Sequence, residues 1–241
     1  MIWALLFAAL AVLLGGDSPF MVPKLDNYVK THVVDDSRKE KVLVLLKDAK
    51  KKRKEVAKMN EKLFKELTKL STSRETTQAD FDQLLTKILE AQTESQQAKI
   101  LVIRKAQENI TSDEWAAIEI DVAKSLKKSN KKRTKQAAKV EMRFLKWENK
   151  ISTSVVDEEK RKKAIESVDK LKTVYLQNYK IIQEELLNDK SIMYQYNASE
   201  EKLIALQEEF VNLNKEVYQT NVSTHFELVE LSTPEEWKKI K

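Results

Sequence analysis

Cysteine is absent from the 241-residue chain, which excludes disulfides, thiolate metal sites and cysteine nucleophiles. Glycine occurs only as Gly15 and Gly16, and proline only as Pro19, Pro23 and Pro234, so neither appears between Lys24 and Thr233. A sheet protein of this length needs many turns, and turns draw on residues that tolerate positive φ or preset it. The missing glycines also remove any phosphate-cradling loop or glycine-built oxyanion turn. Histidine is limited to His32 and His225. No nucleophile–base pair and no contrasted pair of carboxylates stands out, so no catalytic, cofactor-binding or metal-ligating residue is expected and the chain reads as a non-enzyme. A one-sided charge excess is missing too. Lys and Arg number 44 against 38 acidic residues, a net +6 that describes a mixed surface rather than a dedicated nucleic-acid binder.

What is present favours helices. Charged residues make up 34% of the chain, and Leu, Lys, Glu, Ala and Gln recur throughout. The expected fold class is all-α. Ahead of it, Ile2 to Leu14 is uninterrupted apolar sequence. Two readings of residues 1–22 stand side by side. A cleaved signal peptide fits the length of the apolar stretch but lacks a positive n-region, since no Lys or Arg precedes Lys24. A retained anchor running to about Val22 fits a single span, with Lys24 and Lys30 on its C-terminal side. The anchor is the favoured expectation, with the bacterial inner membrane as its site. The side on which the helices lie, cytoplasmic or periplasmic, stays open.

An internal repeat emerges at an offset of 122 positions. Val33-Val34-Asp35-Asp36 is echoed by Val155-Val156-Asp157-Glu158, and Thr111-Ser112-Asp113-Glu114-Trp115 by Thr233-Pro234-Glu235-Glu236-Trp237. The same offset relates Val29 to Ile151, Lys41 to Lys163 and Ile118 to Ile240. The expected organisation is an N-terminal segment 1–22, a first helical repeat 23–119, a connecting long helix with a basic segment over 120–145, and a second repeat 146–241 with a truncated third helix.

Each repeat predicts a helical hairpin followed by a third helix. Val42, Leu45, Ala49, Val56, Met59, Leu63 and Leu70 form one stripe, and Ile165, Val168, Leu171, Tyr175, Tyr179, Ile182 and Leu186 its partner. After a polar stop at Ser71-Thr72-Ser73, Phe81, Leu84, Leu85, Ile88 and Ala91 predict the second helix. Thr111 with Glu114, and Thr233 with Glu236, have the spacing of a capping box, with Trp115 and Trp237 as anchors just inside. From there Trp115, Ile118, Val122, Leu126, Val140, Phe144 and Trp147 predict one long central helix.

Three features are candidates for contact with partners. Lys127, Lys128, Lys131, Lys132, Arg133 and Lys135 make the densest charge run. It reads first as a solvated stretch of a long helix, with anionic lipid or an acidic partner as the functional alternative, and without interleaved aromatics a nucleic acid is not expected. A second run, Lys50 to Lys54, reads as solvated surface balanced by nearby acids. Tyr194 and Tyr196, in a polar connection, suggest a binding edge. Ile110-Thr111-Ser112-Asp113-Glu114 resembles the duplicated Leu-Thr-x-x-Gln motif of small periplasmic stress chaperones of the Spy and CpxP type. The glutamine is missing and the repeat is far longer, so no family is assigned. The layout of one N-terminal helix before helical repeats resembles certain bacterial cell-division regulators, with no shared motif. The expected function is a membrane-anchored helical scaffold or accessory subunit contacting other proteins of a membrane complex. The alternative is an exported envelope chaperone.

Overall fold

The structure, a computed structural model, describes residues 22–186, 188 and 191–241, without the side chains of Asn130, Lys131, Lys132, Arg133, Gln136, Glu185 and Leu186. Every regular element among the described residues is helical: α1 (Leu25–His32), α2 (Asp36–Thr72), α3 (Gln78–Gln107), α4 (Ser112–Ser154), α5 (Glu158–Ile181), α6 (Glu200–Leu231) and α7 (Pro234–Ile240). A π turn, Ile182–Leu186, extends α5, and a short 3-10 turn, Ile192–Tyr194, precedes α6. No helix among the described residues is long and apolar enough to cross a membrane. The apolar stretch Ile2–Leu14 and the rest of 1–21 lie outside them; Val22, the last residue of the expected N-terminal segment, is in the core.

Local side-chain chemistry starts six of the seven helices. Asp35, Thr77, Thr111, Asp157, Ser199 and Thr233 each accept, through the side chain, the N–H three residues on. Helix ends are handled without glycine. Val33, Ser73, Val155 and Ser232 turn the chain straight into extended backbone, so no left-handed C-cap is required.

Helices α2, α3, α6 and α5 pack in that order, each antiparallel to its neighbour. Helix α4, 43 residues and about 64 Å at 1.5 Å per residue, runs the length of this row, chiefly on α5. The short helices close its two ends, α1 against its N-terminal half and α7 against its C-terminal half. Every residue of its expected apolar stripe is buried, from Trp115 and Ile118 through Phe144 to Trp147. The stripe of α5 is buried as well: Val168, Leu171, Tyr175, Tyr179 and Ile182 lie in the core, with Phe144 of α4 against Tyr175.

Helix α2 departs from its expected stripe. Its extensive contacts are to α3 and α1, and α4 leaves its middle uncovered. Its buried residues are Val42 and Leu46 near one end and Leu67 and Ser71 near the other. Met59, expected in the core, is 41% exposed. Sequence periodicity marks an apolar stripe, but burial also needs an element to cover it.

Where α3 crosses α6 the contact is polar. Gln92 Nε2 donates to Tyr218 Oη at 3.0 Å and Gln207 Nε2 to the Thr93 carbonyl at 3.3 Å. Gln96 and Asn214 are buried in the same seam. Buried amides tolerate few alternative registers, which favours one alignment of the hairpins.

Candidate functional surface

The two Thr-x-x-Glu-Trp elements sit at opposite ends of the molecule, and each is the centre of a knot. At the first, Thr111 and Glu114 complete a capping box at the start of α4. The Glu114 carboxylate also accepts the Val34 N–H at 2.9 Å and a two-pronged Arg38 guanidinium at 2.7 and 3.0 Å. Arg38, followed by the backbone N–H groups of Thr111 and Val34, outweighs burial and lowers its pKa to about 2. At the other end Thr233 and Glu236 make the same box, and Glu236 accepts the Val156 N–H at 2.7 Å. The N–H groups of Thr233 and Val156 hold its carboxyl below the ordinary range. The valines whose N–H groups are captured, Val34 and Val156, point into solvent.

The tryptophans reach across the molecule. Trp115 Nε1 donates to the Tyr194 carbonyl at 2.8 Å, and Trp237 Nε1 to the Thr72 carbonyl at 3.3 Å. Tyr196 Oη donates to the Ile110 carbonyl at 3.1 Å, and Arg74 Nη1 to the Ser232 carbonyl at 2.8 Å. Positions 72 and 194, 74 and 196, 110 and 232, and 115 and 237 each stand 122 apart. These four bonds therefore make two reciprocal pairs between the halves.

This geometry relocates the expected tyrosine edge. Tyr194 is only 5% exposed, and the Tyr196 ring packs beside Trp115 while its N–H donates to Glu119 at 3.0 Å. Both tyrosines are used inside the fold, because the connection that carries them is the docking point for the opposite junction. Local sequence does not show this, since the pairing spans about 80 residues. Arg74 and Arg38 were also missed from sequence; each is a lone arginine beside a helix end whose partner comes from elsewhere in the chain.

The basic segment of α4 is helical, and Lys127, Lys128 and Lys135 are exposed; the side chains of Lys131, Lys132 and Arg133 lie outside the described ones. Between Leu126 and Val140 the described side chains of α4 include none that is fully buried, so the apolar stripe lapses where the charge run falls. His32 is held by Asp121 of α4 at 2.9 Å. His225 is fully enclosed among Phe81, Phe226 and Trp237. No group of three or more potential metal ligands occurs among the described residues. No family model, curated protein or solved structure matches the chain.

Proposed function

We propose that the chain is a non-enzymatic, membrane-anchored helical scaffold or accessory subunit, built from two copies of one helical unit over residues 24–119 and 146–241. The observation that carries the duplicated rod is the set of reciprocal bonds between tips and junctions. Reciprocity of this kind is the signature of a two-fold interface between like units, here within one chain. It ties both ends of a long bundle, so the exposed helix flanks are rigid faces of mixed charge on which other proteins can dock. The membrane part rests on the apolar stretch Ile2–Leu14. The inner membrane of a bacterium is the proposed location, with proteins of a membrane complex as partners.

Fractionation and intact mass of the natively expressed protein test this. A full-length chain in the membrane fraction supports the scaffold. A chain shortened near Gly16 and free in the soluble envelope fraction overturns it in favour of the exported chaperone.

A further inference from the structure

Helices α2 and α4 leave the same end of the molecule, pinned there by the Arg38–Glu114 pair at 2.7 Å. Both run toward the end where Trp237 meets Thr72 and Trp147 Nε1 meets the Ile240 carbonyl. At 1.5 Å per residue, Lys50–Lys54 of α2 lie about 18–24 Å along from Arg38, and Lys127–Lys135 of α4 about 20–32 Å along from Glu114. The two basic runs therefore occupy the same level of the rod.

On α2 the run reads in sequence as surface balanced by nearby acids, but over residues 47–58 positives outnumber acids seven to two. Five consecutive positives at 50–54, flanked by Lys47 and Lys58, meet only Asp48 and Glu55 within that stretch. All seven are exposed. Five consecutive residues on a helix sweep its whole circumference, so the positive field surrounds every side of α2 that α3 does not cover. The adjoining surface of α3 adds Lys99, half-buried and close enough to Arg53 to feel its charge. Burial, with that repulsion adding to it, lowers the Lys99 pKa to about 8. In the other hairpin the counterparts of Lys52, Arg53 and Lys54 are Val174, Tyr175 and Leu176, and that of Lys99 is Asn221. A face that is basic and exposed in one hairpin is therefore buried or half-buried at the matching positions of the other.

The chain enters the described fold between α3 and the start of α6. Val22 shares a small apolar pocket with Ile100, Ile103 and Arg104 of α3, within about a turn of Lys99, and with Met193, Ala198 and Leu203 around the start of α6. In sequence the apolar stretch Ile2–Leu14 precedes this entry point. An apolar segment beside a polybasic patch is the pair of signals that holds a protein on an anionic bilayer, each weak alone. No aromatic side chain interleaves either run to stack a base.

We propose that the middle of the α2–α3 hairpin, with Lys50–Lys54 as its centre and Lys99 beside it, is a contact surface for anionic lipid headgroups. It lays the rod along the membrane and leaves the α5–α6 side for protein partners. The inference rests on the membrane reading above.

The full chain is mixed with phosphatidylcholine vesicles, with and without roughly a third of phosphatidylglycerol, and co-sedimented over a salt series. The expected result is tighter association with anionic vesicles, falling steeply with salt. Lys51→Glu, Lys52→Glu and Lys54→Glu together remove roughly a hundredfold of that preference, from the usual contribution of each cation near a charged bilayer. The corresponding glutamine triple variant, which adds no like-charge repulsion to α3, shows a smaller loss in the same direction. Lys202→Glu, Lys215→Glu and Lys239→Glu, an equal charge change elsewhere, costs less than about fivefold. Equal losses from both triple reversals, or no anionic preference in the parent chain, overturn the proposal. So does salt-sensitive binding of mixed-sequence duplex DNA without any vesicle preference, which reassigns the face to nucleic acid. Binding to neutral vesicles reads the N-terminal segment separately: its loss sinks the anchored scaffold while the anionic increment still reports on the hairpin.

Discussion

The hairpins α2–α3 and α5–α6 follow the same path with opposite economies of burial. In α5 the middle of the helix is a ladder of core residues, Val168, Leu171, Tyr175 and Tyr179, because α4 lies on it. In α2 the middle carries charge, and only the ends are buried. Yet both helices start on an aspartate cap, at Asp35 and Asp157, and both hairpin tips are gripped by a distant tryptophan. Fixing the ends of a long helix is enough to hold its course. The middle then answers to whatever covers it, and where nothing does, the sequence is free to take up another task. The comparison is sharpest at single positions. Tyr175→Ala should cost about 3–5 kcal/mol, as for other buried aromatics. Lys52→Ala, one residue from the counterpart of Tyr175, should stay within about 0.5 kcal/mol. Denaturant midpoints of the two variants check this, and a small effect for both would mean that α4 does not press on α5 in solution.

The second contrast lies in the junction knots. Glu114 and Glu236 each bind the N–H groups of their own threonine and of a distant valine, but only Glu114 also holds an arginine; the counterpart of Arg38 is Lys160, which acts on Glu236 only through its charge. Glu114→Ala therefore strands a part-buried guanidinium as well as two N–H donors, a loss of about 3 kcal/mol. Glu236→Ala strands donors alone and should cost about 1–2 kcal/mol. In an Arg38→Lys background the Glu114→Ala loss should approach that of Glu236→Ala, which thermal or chemical unfolding of the parent, the three single variants and the Arg38→Lys/Glu114→Ala double variant measures.

How far these features were legible depended on their range. The capping boxes at Thr111 and Thr233 are local, four residues each, and they formed where the spacing placed them. The buried stripes of α3, α4 and α5 were equally readable, because an apolar residue every three or four positions states its own requirement. Met59 was misjudged because a stripe does not name its cover. The cover over Tyr194 and Tyr196 has no local mark, because a polar connection reads as exposed until the opposite junction docks on it. The Arg38–Glu114 pair, 76 residues apart, left no mark beyond an arginine near a helix start.

His225 has no counterpart with similar chemistry; the matching position is Ile103. Burial lowers its pKa from 6.5 to about 4, with a smaller contribution from Arg74, while a hydrogen bond with the Ser71 backbone opposes the shift. The unfolded chain thus binds a proton between those values that the folded chain refuses, and stability falls as pH drops through that window. From about pH 7 to about pH 5 the loss should be about 2 kcal/mol. It should be absent in His225→Phe, which makes this site as indifferent to acid as its isoleucine counterpart. Unfolding free energies of the two proteins at both pH values decide the matter: an equal decline in each would assign it to other groups. The Glu114 carboxyl contributes chiefly below that window, since its stabilisation is lost as pH falls from the ordinary 4.5 toward its folded pKa of about 2.

The smallest expected difference is at the second helix of each hairpin. Thr77 caps α3 as a full box: its side chain accepts the Asp80 N–H while Asp80 accepts the Thr77 N–H at 2.9 Å. Ser199 caps α6 through its hydroxyl alone, since the residue three positions on is Lys202. Thr77→Ala should cost about 1 kcal/mol and Ser199→Ala about half of that. The order follows from what each hairpin has besides its caps. Helix α6 is held along its length by α3 and α5, whereas α3 has the thinly buried α2 on its other flank. Local capping therefore carries a larger share of the stability in the open hairpin, and equal losses at Thr77 and Ser199 would show that the basic face is held as firmly by packing as the covered one.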